Sequence, residues 1–310
     1  MRVLLSGASG LIGTALQASL RARGDEAGRL VRGAARGPDE VSWRPDAPID
    51  PALLCDFDAI VHLAGRPVAA RWTPAVRREI LESRVTGTRL LAESAARSFH
   101  HTGSPRIFVS VSAAGYYGNR CDEWLDEQSE PGEGFLSMVA QQWEAATWPA
   151  QQAGLRVAMP RLGLVLSKNG GALAPMRKLF RWGLGGRLGS GSQYWSWISL
   201  ADAVAAFGFV LDEPSLCGPV NFVSPSPATN EEFTERLAYD LQRPAFCHLP
   251  AFVLRLALGQ MAGEMLLASQ RILPTKLIDH GFGFRDESLA EALLRCDTPT
   301  GGRIREEVGP

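Results

Sequence analysis

The sequence predicts an α/β fold built on a parallel, doubly wound sheet, with a smaller, mostly helical lobe toward the C-terminus. In the first half of the 310-residue chain, short apolar runs alternate with stretches of helical spacing, which is typical of strand–helix–strand units. After residue 165, glycine-rich segments interrupt this pattern. We therefore assign residues 1–165 to the sheet domain, with 195–223 returning to the sheet, and residues 166–194 and 224–300 to the lobe.

Each predicted element follows from the period of its apolar residues. The predicted strands cover 3–6, 29–31, 58–63, 106–111, 156–159 and 220–223, and the predicted helices cover 11–23, 74–97, 135–152, 202–211 and 230–241. The apolar stretch 251–273 contains Arg255, Glu264 and Arg271. Those charges predict a core helix, broken near Gly259, rather than a membrane span. The tail from Thr298 is expected to fray.

Composition excludes several classes of protein. The formal net charge is −1 at pH 7, so no bulk electrostatic attraction to nucleic acid or membrane is expected. The five scattered cysteines form no C-x-x-C pair, which argues against a disulfide framework and indicates a reducing, cytoplasmic compartment. The histidines lack metal-ligand spacing, so no metal site is expected. The first strand begins at once, without the pattern of a signal peptide.

The first predicted strand runs directly into a glycine-rich turn that opens the first helix. Gly7 permits the tight turn, Gly10 lets backbone approach a pyrophosphate, and Gly13 lets the helix pack close to the sheet. The N–H groups and the positive dipole end of the helix then attract the phosphates. This is the cradle of a Rossmann-type dinucleotide site. Its predicted contacts are Gly7, Ser9, Gly10, Leu11, Ile12 and Gly13.

The residues after the second strand distinguish the two nicotinamide cofactors. An acid there binds the ribose 2′-hydroxyl of NAD, whereas an arginine accommodates the 2′-phosphate of NADP. This segment contains Arg32 and Arg36 and no acid before Asp39. Arginine makes charge-assisted hydrogen bonds to phosphate, so Arg32, with Arg36 as a second candidate, predicts NADP(H). If Arg32 is only solvated, the cofactor preference should be weak.

Several segments resemble the extended short-chain dehydrogenase/reductase superfamily, of the NAD-dependent epimerase/dehydratase type. Residues 58–65 resemble its third-strand motif, 84–88 its helix motif, and 110–118 its serine strand and following turn. The helix motif has Arg84 where the family usually has asparagine. More closely, the whole chain resembles an atypical branch known as epimerase family proteins, regarded as NADP-dependent oxidoreductases. The resemblance implies further cofactor contacts by Leu63, Ala64, Gly65, Arg84, Ser110, Val111, Arg161 and Leu162.

The catalytic pattern of that superfamily is incomplete in this chain. In the superfamily, a tyrosine and a lysine four residues later share one helix, and the lysine lowers the pKa of the tyrosine toward the operating pH. None of the four tyrosines here has a lysine at that distance, and the helix 135–152 contains no lysine. Ser112 and Tyr117 are therefore the candidate catalytic residues, with Tyr116 as an alternative acid. The opposite interpretation, in which Tyr117 packs and Ser112 bonds only cofactor or water, stays open.

Other residues are weaker candidates. Gln193, Trp195 and Trp197 could line a substrate cleft with Arg187 as an anion clamp, although tryptophans at alternate positions more often pack one face of a strand. His62 lies inside an apolar strand and is expected to be structural.

Two functions fit these observations. The first is an NADPH-dependent oxidoreductase or epimerase-like enzyme that acts on a small polar substrate, with Ser112 polarising the reacting oxygen. The second is a catalytically silent NADPH-binding sensor or partner-binding protein. The missing tyrosine–lysine pair favours the second, whereas the retained Ser112 and the lobe that would enclose a substrate favour the first. A homodimer is expected only by analogy with the superfamily.

Overall fold

A parallel sheet forms the centre of the computed structural model, which describes residues 1–297. The strands in chain order are β1 (Arg2–Ser6), β2 (Glu26–Val31), β3 (Glu40–Ser42), β4 (Ala59–His62), β5 (Ile107–Ser110), β6 (Ser112–Ala113), β7 (Trp124–Leu125), β8 (Arg156–Leu162), β9 (Leu164–Leu166), β10 (Tyr194–Trp195), β11 (Trp197–Ser199), β12 (Gly218–Phe222), β13 (Ala228–Thr229) and β14 (Arg271–Ile272). The main sheet has the order β3-β2-β1-β4-β5-β8-β12, with β6 beside β8, and every pairing in it is parallel. Because the strand order reverses direction between β1 and β4, the sheet is of the Rossmann type, and the predicted fold class is confirmed.

Helices cover both faces of this sheet. They are α1 (Leu11–Ala22), α2 (Pro74–Thr102), α3 (Phe135–Ala145), α4 (Trp148–Gln152), α5 (Leu173–Arg181), α6 (Leu200–Asp212), α7 (Asn230–Leu241), α8 (Ala251–Leu258), α9 (Thr275–Asp279) and α10 (Leu289–Asp297). Helices α1 and α6 pack on one face, and α2 and α4 pack on the other.

The first strand shows how the sequence supplies both layers of the core. Val3 and Leu5 pack with Leu16 of α1 and Phe207 of α6, whereas Leu4 belongs to the core on the α2 side. All five side chains are fully buried. Successive residues of a strand point to opposite faces, so a strand buried on both faces reads as a continuous apolar run.

Some elements differ from their predictions, whereas the helix break expected near Gly259 is present. The predicted helix 135–152 ends at Ala145 and restarts at Trp148, because Pro149 lacks the N–H that a continuous helix needs and its ring would clash with the preceding turn. Strand β3 was not predicted, since three residues are too few to show a period. The stretch 251–273 forms α8, which ends at Gly259 with φ of +63°, followed by a π-helical turn at Ala262–Leu266.

The C-terminal lobe has its own apolar core. Buried residues of β9, α5, β11, α7 and α10 pack together there, and β9 pairs in parallel with β11. Helix α7 begins with a capping box, in which Thr229 and Glu232 each accept the other's backbone N–H. The tail from Thr298 lies outside the described residues. Within residues 1–297, no helix has both the length and the apolar character that crossing a bilayer requires.

Candidate functional site

The connection from β1 into α1 has no room for side chains at Gly7, in the turn, or at Gly13, in the first turn of α1. Gly7 has φ of +65°, and a Cβ there would lie 2.9 Å from the backbone nitrogen of Ala64. A Cβ on Gly13 would lie 2.3 Å from the carbonyl oxygen of Gly7. Both contacts are with backbone, which cannot turn aside as a flexible side chain can. The glycine spacing is therefore required by close packing of the turn against α1 and against the end of β4.

The same turn presents free donors to a ligand. Gly10 is the N-cap of α1, and no side chain caps this end. The Gly10 N–H itself donates to the Gly7 carbonyl at 3.0 Å, while Ser9 and Gly10 are exposed. The first-turn N–H groups of Leu11, Ile12 and Gly13 thus have no intrahelical acceptor. Such a turn fits the pyrophosphate of a dinucleotide, both in its donors and in the space that the small residues leave.

The loop after β4 is tied to β1 by one buried serine. The Ser6 hydroxyl accepts from the backbone N–H groups of Leu63 at 3.0 Å and Ala64 at 3.2 Å. Its single proton is therefore available for His62 Nδ1, which lies 2.6 Å away. Burial lowers the pKa of His62 to about 4, so the ring is neutral near pH 7. His62 serves to fix this loop, as expected of a structural histidine, although its Nε2 is buried with no hydrogen-bond partner among residues 1–297.

Acidic groups near the end of β2 are already paired with arginines. Arg29 lies 3.2 Å from a carboxylate oxygen of Asp39 and 3.0 Å from one of Glu40, and Arg21 lies 3.8 Å from Asp39. In contrast, Arg32 is exposed, and no carboxylate of the described chain pairs with it. The segment after β2 therefore carries a cation that no carboxylate of residues 1–297 pairs with, while the nearby Asp39 and Glu40 are paired with arginines.

A buried polar cluster lies where β6, α3 and β8 meet. The Ser112 hydroxyl donates to Glu144 Oε1 at 2.7 Å. Arg161 binds both oxygens of that carboxylate, with Nε 2.8 Å from Oε1 and Nη2 2.9 Å from Oε2. The Arg161 and Glu144 side chains are only 2% and 11% exposed. Bidentate geometry and low exposure make this a strongly held ion pair.

Tyr117 is placed by the structure in this cluster but not at an open cleft. The residue is fully buried, and its hydroxyl accepts from Arg161 Nη1 at 2.9 Å. The hydroxyl also lies 2.8 Å from the carbonyl oxygen of Asp126 and 2.7 Å from Asn221 Oδ1. Burial raises the pKa of Tyr117 to about 12. These contacts favour the interpretation in which Tyr117 packs, because its hydroxyl is engaged by Arg161, Asn221 and the Asp126 carbonyl and its raised pKa is far from the operating pH.

The neighbouring Tyr116 has a different environment. Its side chain is half-buried, and the Arg161 guanidinium lies 3.4 Å from the centre of its ring. Arg161, predicted to contact cofactor, is thus directed to Glu144 and to the two tyrosines.

The other residues predicted to contact cofactor at the ends of β5 and β8 also lie wholly or partly inside the protein. Ser110 is buried and its Oγ has no hydrogen-bond partner among residues 1–297, Val111 is buried, and Leu162 is half-buried.

The candidates in the lobe have structural contacts. Trp197 is fully buried and donates to the Ser226 carbonyl at 2.9 Å, and Trp195 packs on Phe233. The Gln193 amide donates to the carbonyls of Leu188 and Leu266. Arg187 is already paired with Glu231 at 2.7 Å. This geometry favours the packing interpretation of these tryptophans over a substrate cleft.

Glu144 was not given a role by the sequence interpretation. A local signal existed, since it is the only charged residue of α3. A single acid in an apolar helix and an arginine inside an apolar strand indicate a buried ion pair. Their pairing itself depends on how the two elements pack, which neither segment shows alone.

The N-terminus of α3 is held by the lobe. No side chain within the local turn caps this helix. Instead, Glu264 of the π-helical turn accepts from the N–H groups of Phe135 at 3.0 Å and Leu136 at 2.7 Å. A Cβ on Gly134 would lie 2.9 Å from that carboxylate carbon. The helix that supplies Glu144 is therefore positioned from the C-terminal lobe.

Known protein families and individual proteins are similar to this chain over most of its length. A model of the NAD dependent epimerase/dehydratase family matches residues 3–221, and a domain of unknown function, DUF1731, matches residues 249–296. The chain is 44% identical over 301 residues to epimerase family protein Mb2239 of Mycobacterium bovis, which covers 96% of this chain and 98% of that protein. It is 35% identical over 297 residues to epimerase family protein SDR39U1 of Homo sapiens, with 94% and 98% covered.

Two solved structures are similar over nearly the whole chain. The crystal structure of human SDR39U1 with NADPH has a TM-score of 0.86 and 33% identity, covering 96% of this chain and 99% of that one. A nucleoside-diphosphate sugar epimerase from Corynebacterium glutamicum has a TM-score of 0.79 and 35% identity, covering 94% of this chain and 57% of that one. Since the family model spans the sheet domain and these relatives extend through the lobe, the chain belongs to the NAD-dependent epimerase/dehydratase family, in its epimerase family protein branch.

Proposed function

We propose that this protein is an NADP(H)-dependent oxidoreductase of the extended short-chain dehydrogenase type, acting on a small polar substrate. The choice of NADP(H) rests on Arg32, which follows β2, is exposed and has no carboxylate partner among residues 1–297. The nearby carboxylates of Asp39 and Glu40 are paired with Arg29 instead. A free guanidinium suits the 2′-phosphate of NADP, and the absence of a free acid there disfavours the 2′-hydroxyl of NAD. The NADPH in the human relative's structure supports this choice.

The proton-handling groups in this proposal are Ser112 and Glu144. When bound, the nicotinamide supplies the hydride donor or acceptor. An ionised carboxylate can only accept hydrogen bonds, so Ser112 is the donor toward Glu144 and its lone pairs are left for a substrate hydroxyl. A proton can then pass from that hydroxyl to Ser112 while the Ser112 proton moves to Glu144. Arg161 holds the carboxylate in place for this transfer.

The cofactor proposal is tested with Arg32→Ala. We expect NADPH affinity to fall by about 10- to 100-fold, because one or two hydrogen bonds to a charged phosphate are lost, while NADH affinity changes less than about twofold. Titration of cofactor fluorescence measures both affinities. Arg44→Ala, which removes an exposed arginine paired with Asp46, is the control and should alter neither. A variant at Arg32 that keeps the wild-type preference for NADPH would refute this role.

An alternative is a non-catalytic NADPH-binding sensor, which is favoured by the lack of any lysine in α3. The two functions are separated by screening carbonyl and sugar-nucleotide substrates for NADPH oxidation, with Ser112→Ala beside wild type. If the protein is an enzyme, the substitution should lower turnover at least about 100-fold, the usual contribution of a positioned acid–base group. Tight NADPH binding without turnover of any substrate would instead support the sensor.

A further inference from the structure

Arg84, in the middle of α2, has a guanidinium that the described chain leaves largely unsatisfied. One of its nitrogens, Nη1, donates to the Ile80 carbonyl at 3.1 Å. Within residues 1–297, no carboxylate pairs with it. An arginine carries five N–H donors, so most of its hydrogen-bonding capacity is free. Arg84 is half-buried, and this burial lowers the pKa of its guanidinium to about 10, so the group is still charged near pH 7.

Two contacts fix where this charge lies. The Arg84 guanidinium carbon is 5.0 Å from the centre of the Trp143 ring, and Trp143 is held in turn by its N–H bond to Thr88 of α2 at 2.9 Å. On the other side, a Cβ built on Gly65 would lie 3.5 Å from the same guanidinium carbon. Arg84 therefore bridges the loop after β4 and α3, the helix in which the superfamily's tyrosine and lysine would lie.

The strand order places this charge on the nicotinamide side of the cradle. Arg32 follows β2, the pyrophosphate turn follows β1, and Gly65 follows β4 on the opposite side of β1 from β2. A dinucleotide in a Rossmann sheet spans the crevice where the strand order reverses. With the 2′-phosphate at Arg32, the other half of the cofactor extends over β4, toward Gly65 and Arg84.

We propose that Arg84 supplies, from α2, the positive charge that the superfamily's lysine supplies from the next helix, and that it binds the nicotinamide half of the cofactor. This inference rests on the proposed function, because it requires NADP(H) in the cradle. A half-buried cation without a carboxylate partner in the described chain is incompletely paired, and the phosphate and ribose hydroxyls of a nicotinamide nucleotide provide the acceptors that it lacks. The asparagine usual at this position in the family carries no charge, whereas the arginine here does.

Binding of whole and partial cofactors tests the assignment. NADPH, NADH and 2′,5′-ADP are titrated against wild type, Arg84→Gln, Arg84→Lys and Arg32→Ala by calorimetry. The ligand 2′,5′-ADP contains the 2′-phosphate but has no nicotinamide half. We expect Arg84→Gln to weaken NADPH and NADH equally, by about tenfold or more, since hydrogen bonds to a charged group are lost. Its affinity for 2′,5′-ADP should stay within about twofold of wild type.

The two arginine variants should show opposite patterns. Arg32→Ala is expected to weaken NADPH and 2′,5′-ADP while sparing NADH, and Arg84→Lys should restore part of the affinity that Arg84→Gln loses. Retained 2′,5′-ADP binding also shows that the Arg84→Gln variant is folded. The assignment is overturned if Arg84→Gln binds NADPH as wild type does, or if it weakens 2′,5′-ADP and NADPH alike. If wild type itself binds neither dinucleotide, the proposed function fails first.

Discussion

Gly13→Ala is expected to abolish nicotinamide nucleotide binding, with a loss of affinity above about 100-fold. The added Cβ would lie 2.3 Å from the Gly7 carbonyl oxygen and 2.8 Å from the Ala8 Cα. Both atoms are backbone, so the turn or the first helix must shift. The same Gly7 carbonyl accepts the N–H of Gly10, so its displacement also disturbs the phosphate-binding donors. Fluorescence titration with NADPH measures the loss.

Gly283→Ala is the matched control for this change. Gly283 is not among the glycines with positive φ, and a Cβ there meets nothing within 4 Å, so this variant should bind NADPH as wild type does. A circular dichroism spectrum establishes that the Gly13 variant is folded. An affinity within threefold of wild type in a folded Gly13→Ala protein would contradict the cradle on which the cofactor proposal depends.

The cradle could be predicted from sequence because all of its parts are local. Gly7, Gly10 and Gly13 lie within one strand–turn–helix unit, and Arg32 follows the next strand. The space that each glycine needs is set by neighbours in that unit and by the adjacent strand. Sequence spacing therefore carried the information that defined this half of the site.

The polar cluster could not be predicted in the same way, because burial there is set by distant segments. Tyr117 looked like a candidate acid because it follows the serine strand, but its hydroxyl meets Asn221, 104 positions away. Glu144 and Arg161 belong to different elements, and their pairing depends on how α3 packs beside β8. The cap on α3 comes from Glu264, separated from Phe135 by 129 positions. None of these contacts leaves a periodic signal in the chain.

The buried ion pair between Arg161 and Glu144 is expected to contribute strongly to the stability of the fold. Glu144→Ala is expected to lower the free energy of unfolding by about 3–5 kcal/mol, because it leaves the Arg161 guanidinium buried without its counter-charge. It also removes the acceptor of the Ser112 hydroxyl. Urea unfolding followed by circular dichroism measures the change. Glu123→Ala, which breaks the partly exposed pair with Arg120, is the control and should cost less than about 1 kcal/mol.

The double variant Glu144→Ala/Arg161→Met separates the charge from the packing. If most of the loss in Glu144→Ala comes from an uncompensated cation, replacing Arg161 by an apolar side chain should recover part of it, because removing both members of a buried pair is often close to neutral. Tyr117 would still keep the Asp126 carbonyl and Asn221 as partners. A Glu144→Ala variant no less stable than Glu123→Ala would mean that Arg161 is not held by this carboxylate, and Glu144 would then be a poor candidate for receiving the Ser112 proton.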